Sequence, residues 1–181
     1  FLRYVARKKK PMIISSAMCS NEEVVEAVET IRSEGLEDII VCQCTGNYPS
    51  KIEDSNLKVI KTYESQLNCL TGYSDHTLDF INPILAVGLG ISLYEKHFTI
   101  DKELEGPDHR MSLSPDELRK TISILRKAEI SMGNENKVVL DDELENRQKL
   151  RKSVVAAKDI SKNDIISLEM LAIKRPGTGI Q

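Results

Sequence analysis

Polar side chains follow each of four short apolar segments that the sequence predicts to be β-strands. These segments are 12–14, 39–42, 70–73 and 91–94. They are brief and mostly continuous rather than alternating, which is typical of strands covered on both faces of a sheet. Active sites in parallel α/β folds gather where the strands end. We therefore expect chemistry in the residues that come next, 15–18, 45–49, 74–77 and 95–98.

Histidine is concentrated at these predicted strand ends. His76 and His97 stand at two consecutive ends, and the third histidine of the chain, His109, follows in the next loop. One helix joins the first two positions, so their side chains would lie side by side on the same rim. The pattern predicts a shared metal site or an acid–base site. Separate structural hydrogen bonding by each histidine stays open as the alternative.

Three further side chains have a type that suits binding. Ser15 and Ser74 could donate hydrogen bonds to a phosphate, although serine is also common at strand ends. Asp108 follows Gly106-Pro107 and could hold a sugar hydroxyl, although Gly-Pro-Asp is also ordinary turn chemistry. The residue types alone do not decide between binding and structure here.

Helical patterns lie between the strands and must position these residues. Ser20 with Glu23, and Ser114 with Glu117, have the spacing of capping boxes at helix starts. Residues 79–89 are nearly all apolar and predict a buried helix. Strand and helix thus alternate four times at roughly 30-residue spacing, which predicts βαβ units and a parallel sheet. Half of a (β/α)8 barrel and an open doubly wound sheet both fit this pattern.

Composition excludes several functional classes. Lys and Arg number 25 against 28 Asp and Glu, a net charge of −3, which is not the electrostatic footprint of a nucleic-acid binder. No apolar run is long enough for a membrane span. The basic cluster at 7–10 follows apolar residues, the reverse of a secretory signal. The four cysteines contain no CxxC pair and are interpreted as small buried side chains of a cytoplasmic protein.

The character of the chain changes after the four strand–helix units. Residues 134–152 are highly charged and are interpreted as a linker with one helical turn, whereas 153–157 and 171–174 are predicted strands. The predicted organisation is therefore a strand–helix region at 1–133, the linker at 134–152 and the start of a small β-rich domain at 153–181. Phe1 falls within a helical pattern, so we expect the chain to be a fragment.

Six ordered motifs make the chain resemble the sialic acid synthase family. They are 10–16, Cys44-Thr45 with Tyr48-Pro49, 72–77, 95–99, 106–109 and 174–177. Each motif alone is weak, but six in order across essentially the whole chain are specific. The resemblance implies the second half of a (β/α)8 TIM barrel followed by the start of an antifreeze-like (SAF) cap domain. The first four barrel strands would lie outside this chain.

The resemblance also implies an activity. Family members condense phosphoenolpyruvate with an N-acetylated hexosamine such as N-acetylmannosamine, giving N-acetylneuraminate or a related nonulosonic acid and phosphate. His76 and His97 match the ligands of a divalent metal ion, expected to be manganese, with magnesium or cobalt as alternatives. Glu95 matches a carboxylate near the metal that assists proton transfer.

The remaining matches concern substrates and partners. Ser15 and Ser74 match phosphoenolpyruvate-binding serines, and Tyr48 and Asp108 match sugar-contacting positions. Arg175 matches a cap-domain arginine that reaches the sugar site of the partner subunit in a domain-swapped homodimer. Asp108 followed by histidine favours neuraminate or legionaminate over a pseudaminate-type product. No nucleic-acid or membrane partner is expected.

Two departures from the family pattern qualify this expectation. The family often has Asn or Ser where this chain has Gly46, and Asn47 cannot replace it because neighbouring strand residues face opposite sides. The first four strands supply a metal-proximal Glu and phosphate-binding lysines, so this polypeptide alone is expected to be inactive. A non-catalytic half-barrel binding or assembly module remains an alternative. Another phosphoenolpyruvate-condensing or aldolase-type barrel is a third, but it would lack the Lys-Arg-Pro-Gly segment.

Overall fold

A computed structural model of the protein describes residues 1–180, and its contacts divide the chain into two units, residues 1–133 and residues 134 onward. The first unit contains a four-stranded parallel sheet with the strand order β1-β2-β3-β4. Its strands are β1 (Met12–Ser15), β2 (Ile39–Cys44), β3 (Leu70–Asp75) and β4 (Leu93–Lys96). The predicted α/β class and parallel sheet are therefore confirmed.

Strand β4 begins later than the apolar segment at 91–94 indicated. Ile91 instead packs in the turn before β4, against the cluster formed by Ile60, Tyr73 and Ala86. An apolar residue that packs against the core looks the same in the sequence whether it lies in a turn, as Ile91 does, or in a strand. The start of β4 could therefore not be read from hydropathy alone.

Five α-helices accompany the sheet in the first unit. They are α1 (Leu2–Ala6), α2 (Asn21–Arg32), α3 (Val59–Leu67), α4 (Ile81–Gly88) and α5 (Pro115–Met132). Both predicted capping boxes are present. The Ser20 N–H donates to the Glu23 carboxylate at 2.7 Å, and the Ser114 N–H donates to that of Glu117 at 2.8 Å. These caps satisfy free backbone donors, which explains why α2 and α5 begin where the sequence indicated.

Helix α4 contradicts the prediction that it is buried on all sides. Ile81, Ile84 and Leu85 remain 46%, 38% and 50% exposed, whereas Asn82 is buried. The Asn82 amide donates to Ser55 Oγ at 2.7 Å and to the Tyr73 hydroxyl at 3.2 Å. An almost uniformly apolar helix gives no sign of which side faces the sheet, and here a polar contact fixes the orientation.

The core of the first unit lies between the helices and one face of the sheet. Its fully buried members include Val28, Ile31 and Val41. On the opposite face, Ile13 and Leu70 are more than half exposed. The expectation that both faces are covered therefore holds only in part for residues 1–180, because this face is open at Ile13 and Leu70 but buried at Cys42, Cys44 and Ser74.

The second unit combines a helix with a small antiparallel sheet. It contains α6 (Asp141–Leu150), β5 (Ser153–Ala156) and β6 (Leu171–Lys174), and Ser153 pairs with Lys174. Helix α6 is longer than the single turn expected in the charged segment, and pairs such as Glu145 with Lys149 support it. Both predicted strands are present.

Two further predictions can be compared with the described residues. No helix in 1–180 has the length and apolarity of a membrane span. Cys42 and Cys44 are buried, as expected, and burial raises the pKa of the Cys42 thiol to about 12. Cys19 is exposed, so the buried interpretation was wrong there. It lies in the turn before α2, outside the core.

The sheet is tightly packed at Gly72, which yields a first testable prediction. A Cβ atom at this position would lie 2.6 Å from Cys42 Sγ and 3.0 Å from the Leu93 carbonyl oxygen. We expect Gly72→Ala to lower the free energy of unfolding by about 1–3 kcal/mol, because neighbouring strands must move apart. Urea unfolding of the full-length protein measures this change. Gly88→Ala is the matched control, since no atom lies within 4 Å of its added Cβ, and a loss as large there would contradict the packing argument.

Candidate active site

The alternation of strand residues separates two groups of polar side chains at the ends of β3 and β4. Ser74 pairs with Glu95 and Asp75 with Lys96 in the parallel register. Neighbouring residues of a strand face opposite sides, so these two pairs serve different faces of the sheet. We call the face with Cys44, Ser74, His76, Glu95 and His97 the site face. The face with Tyr73, Asp75, Tyr94 and Lys96 is the helix face.

The two predicted histidines are neighbours on the site face. The His76 and His97 ring centroids are 5.2 Å apart, with the rings edge to face at 75°. Tyr48 joins them, with its ring centroid 4.0 Å from that of His76 and 5.5 Å from that of His97. The loop after β2 thus contributes the Tyr48 ring to a cluster whose two histidines come from the ends of β3 and β4.

His76 is held in one tautomer by the backbone. Its Nδ1 lies 2.7 Å from the Thr45 carbonyl oxygen, which only accepts hydrogen bonds. Nδ1 therefore carries a proton, which leaves Nε2 as the ring nitrogen available to a ligand. The Ser50 N–H also donates to the His76 carbonyl at 2.9 Å. Histidines that bind metals usually donate their other ring N–H to a carboxylate, a backbone carbonyl or water, and His76 meets this condition.

His97 has an acidic neighbour from the following loop. Its Nδ1 lies 3.6 Å from Asp108 Oδ2, beyond ordinary hydrogen-bond distance but close enough for a favourable electrostatic contact. The Leu113 N–H donates to the His97 carbonyl at 2.8 Å. The loop that contains Asp108 is thereby brought to the rim where the two histidines lie.

Ser74 and Glu95 form a hydrogen-bonded pair beside the histidines. The buried Ser74 hydroxyl donates to Glu95 Oε1 at 2.7 Å. Ser15 lies farther along the same face, because it pairs with Cys42 at the end of β1. Its Oγ accepts a hydrogen bond from the Ala17 N–H at 3.3 Å. A ligand that took hydrogen bonds from both serines would have to span three strands and compete with Glu95 for Ser74.

Arg175 belongs to the second unit. Its Nε donates to the Leu150 carbonyl at the end of α6 at 2.8 Å, and it precedes a cis peptide bond to Pro176. The structure thus brings together Tyr48, His76, His97 and Asp108, with the pair Ser74–Glu95 beside them. Ser15 shares their face, and Arg175 is placed within its own unit.

The histidine pair suits part of a metal site. Manganese, magnesium and cobalt differ in how strongly they prefer imidazole nitrogens or carboxylate oxygens, but each can bind to a mixture of the two. The two rings alone therefore do not identify the ion. Among residues 1–180, no group of three or more His, Cys, Asp and Glu side chains is arranged to hold a metal ion. His76 and His97 fit two positions of such a site. The other ligands would come from substrate, water or further side chains.

The loop after β2 explains the glycine that departs from the family pattern. A Cβ atom at Gly46 would lie 2.8 Å from Met18 Cγ. Met18, in the loop after β1, therefore occupies the space that a side chain at position 46 would need. Asn47 is exposed beside it. The absence of a side chain at Gly46 is thus matched by the packing of the neighbouring loop.

Asp75 and Lys96 were not singled out by the sequence, although both lie inside the predicted motifs. Asp75 is 0% exposed and the Lys96 side chain 4% exposed, and Lys96 Nζ lies 3.5 Å from Asp75 Oδ2. Hydroxyl groups of Tyr73 and Tyr94 donate to the same carboxylate at 3.1 and 3.0 Å. The alternation of side chains along a strand could have identified this pair, since it places Asp75 and Lys96 on the face of the sheet opposite the histidines.

Burial changes the acid–base properties of this network. It raises the pKa of Tyr73 and Tyr94, and the Asp75 charge raises them further, so both hydroxyls keep their protons and donate. Burial lowers the pKa of Lys96, and Asp75 opposes that shift. On the site face, burial raises the pKa of Tyr48, with Cys44, Asp108 and Glu95 contributing. Tyr48 is thereby a hydrogen-bond donor at neutral pH.

Comparisons with known proteins identify the family of the chain. Residues 1–137 match the NeuB family model, and residues 151–181 match the SAF domain model. The chain is 42% identical over 184 residues to an N,N'-diacetyllegionaminic acid synthase of Legionella pneumophila, covering 99% of the chain and 52% of that protein. It is 36% identical over 180 residues to a pseudaminic acid synthase of Campylobacter jejuni, covering 99% of the chain and 52% of that protein.

A solved structure is similar as well. The N-acetylneuraminic acid (sialic acid) synthetase of Leptospira borgpetersenii, in complex with citrate, superposes with a TM-score of 0.73 at 30% identity. The match covers 80% of this chain and 50% of that one. The chain spans about half the length of the curated relatives it matches. These relatives are nonulosonic acid synthases, and the resemblance seen in the six motifs is confirmed: the chain belongs to the NeuB family.

Proposed function

We propose that the full-length protein containing this chain is a nonulosonic acid synthase that condenses phosphoenolpyruvate with an N-acetylated hexosamine. The observation that carries this proposal is the His76–His97 pair. Two imidazoles lie 5.2 Å apart between ring centroids, and the Nδ1 of His76 is committed to a backbone carbonyl. This geometry suits two ligands of one divalent ion, and it stands in a chain whose named relatives make nonulosonic acids.

His76 and His97 would hold the ion, for which we propose manganese. When bound, the ion supplies Lewis-acid polarisation of the sugar aldehyde. Asp108 stays within electrostatic contact of His97 Nδ1 and favours the orientation that turns Nε2 away from it. The remaining roles belong to side chains that bind substrates or move protons.

The proposed reaction forms a C–C bond and a C–O bond and breaks the C–O bond to phosphate. The methylene carbon of phosphoenolpyruvate joins the aldehyde carbon of the open-chain sugar, whose oxygen takes up a proton; water loses a proton as it adds at the phosphate-bearing carbon, and inorganic phosphate leaves. Glu95 would accept a proton from the attacking water; in support, its carboxylate lies on the site face and accepts a hydrogen bond from the Ser74 hydroxyl. Ser74 and Ser15 would donate to phosphoenolpyruvate.

The sugar would lie against the loops after β2 and β4. Tyr48 keeps its proton at neutral pH and could donate to a hydroxyl or an amide carbonyl. Asp108 could accept from sugar hydroxyls on the other side. We further propose that the four parallel strands are the second half of a (β/α)8 barrel, and that Arg175 completes the sugar site of a partner subunit in a homodimer.

The activity can be tested directly. Full-length protein incubated with Mn²⁺, phosphoenolpyruvate and N-acetylmannosamine, or a diacetylated bacterial hexosamine, is expected to release phosphate and form a nine-carbon keto acid. A phosphate assay and mass spectrometry measure both products. Removal of the metal with EDTA should stop the reaction, and added Mn²⁺ should restore it. No product with any N-acetylated hexosamine would instead favour the non-catalytic binding or assembly module.

A further inference from the structure

A buried ion pair joins β3 and β4 directly behind the histidines. Asp75 and Lys96 are register partners, and each immediately precedes one histidine in the sequence. Four groups besides Lys96 donate to the Asp75 carboxylate. These are the Tyr73 and Tyr94 hydroxyls and the N–H and hydroxyl of Thr77. The network lies on the helix face, so none of its members needs to touch a ligand on the site face.

Thr77 extends this network to the residue after His76. Its N–H donates to Asp75 Oδ1 at 2.8 Å, and its carbonyl accepts a hydrogen bond from Lys96 Nζ. Contacts with Asp75 and Lys96 thus hold the backbone next to His76. Lys96, which provides the second of these contacts, is the residue before His97. A change in the spacing of β3 and β4 would have to break these contacts.

The energetics of burial argue against a role in stability alone. Removing two charges from water is costly, and well-packed apolar residues often serve stability as well or better. Buried ionic groups are retained most clearly where they select one arrangement over its alternatives. Here the arrangement selected is the relative position of two strand ends that each present an imidazole.

We propose that the Asp75–Lys96 pair is a positioning device that fixes the spacing and orientation of His76 and His97 for a shared divalent ion. The role of the histidines as metal ligands rests on the proposed function. The positioning role rests on the contacts of Asp75, Lys96 and Thr77. Neither Asp75 nor Lys96 is a ligand in this proposal.

The test is a double variant, Asp75→Asn with Lys96→Met, in the full-length protein. It removes both charges with little change in side-chain size, so no uncompensated charge is buried. Isothermal titration with Mn²⁺ alone is expected to show about 10- to 100-fold weaker binding, the loss typical when groups behind metal ligands are removed. Urea unfolding measures stability in parallel. A folded double variant that binds Mn²⁺ as tightly as the wild type would overturn the proposal.

Matched controls separate positioning from stability. Lys61→Met with Glu64→Gln removes an exposed ion pair on α3 and is expected to leave Mn²⁺ binding unchanged. Tyr94→Phe removes one donor to Asp75 and is the milder variant if the double variant does not fold. It is expected to weaken Mn²⁺ binding less than the double variant does. Wild-type affinity in Tyr94→Phe, when the double variant does not fold, would also overturn the proposal.

A metal-independent measurement keeps this proposal distinct from the proposed function. The ¹⁵N chemical shifts of the His76 imidazole report its tautomer without any ion present. We expect the single tautomer of the wild type to become a mixture in the double variant. Unchanged shifts would contradict positioning. Absence of Mn²⁺ binding by the wild type would contradict the proposed metal site instead.

Discussion

Replacing His76 or His97 with Ala in the full-length protein is expected to weaken Mn²⁺ binding and lower the proposed turnover by about 10- to 100-fold or more. The two rings lie edge to face on the site face, so each variant removes one proposed ligand and leaves the other in place. His76→Ala also frees the Thr45 carbonyl from its hydrogen bond with Nδ1. Titration with Mn²⁺ and steady-state kinetics measure the two effects separately.

The third histidine supplies the control for this experiment. His109 Nδ1 lies 2.7 Å from Thr99 Oγ1, in the loop after β4, and has no assigned part in metal binding. We expect His109→Ala to leave the Mn²⁺ affinity unchanged. Full activity in both His76→Ala and His97→Ala would remove the assigned metal site, whatever the result for His109.

A mixed dimer is expected to show that Arg175 acts on the partner subunit. One subunit carries Arg175→Ala and the other carries His76→Ala, and two affinity tags isolate the mixed form. If Arg175 serves the partner, both changes fall on one composite site and the second site is intact. The mixed dimer should then keep about half of the wild-type activity, since a two-fold dimer has two equivalent sites.

The opposite assignment gives a clearly different result. If Arg175 acts within its own subunit, each site of the mixed dimer carries one change and activity should be almost lost. The Arg175 guanidinium is planar and always charged, which suits it to a sugar amide carbonyl or carboxylate. Its Nε already holds the Leu150 carbonyl, so only the terminal nitrogens would face the sugar. The two homodimeric variants, each expected to be nearly inactive, calibrate the assay.

Local signals predicted the parts of the fold that local physics decides. The capping boxes at Ser20 and Ser114 fixed two helix starts, because their hydrogen bonds join residues three apart. Continuous apolar runs located the strands, and the strand ends located the histidine pair. The orientation of α4 was missed because it depends on Asn82 meeting Ser55 and Tyr73, residues distant in the sequence.

The candidate site was predicted to a similar extent. Proximity of His76 and His97 followed from their places on consecutive strands. The proton on His76 Nδ1 did not, because it depends on a carbonyl of another loop. The buried pair of Asp75 and Lys96 was missed because a charged residue between two site residues resembles another site residue. Only the direction of its side chain distinguishes the two.

The opposite directions of neighbouring strand residues have a consequence for how such an enzyme can diversify. Sugar-contacting candidates lie in the loops at 45–49 and 106–109, whereas Asp75 and Lys96 hold the strands from behind. Tyr48 contacts both histidine rings and Asp108 lies 3.6 Å from His97 Nδ1, so selection for a new sugar can act on these loops where those contacts to the strand ends are kept. If the proposed condensation is the activity, changes elsewhere in the loops would let one strand framework serve several acceptor sugars.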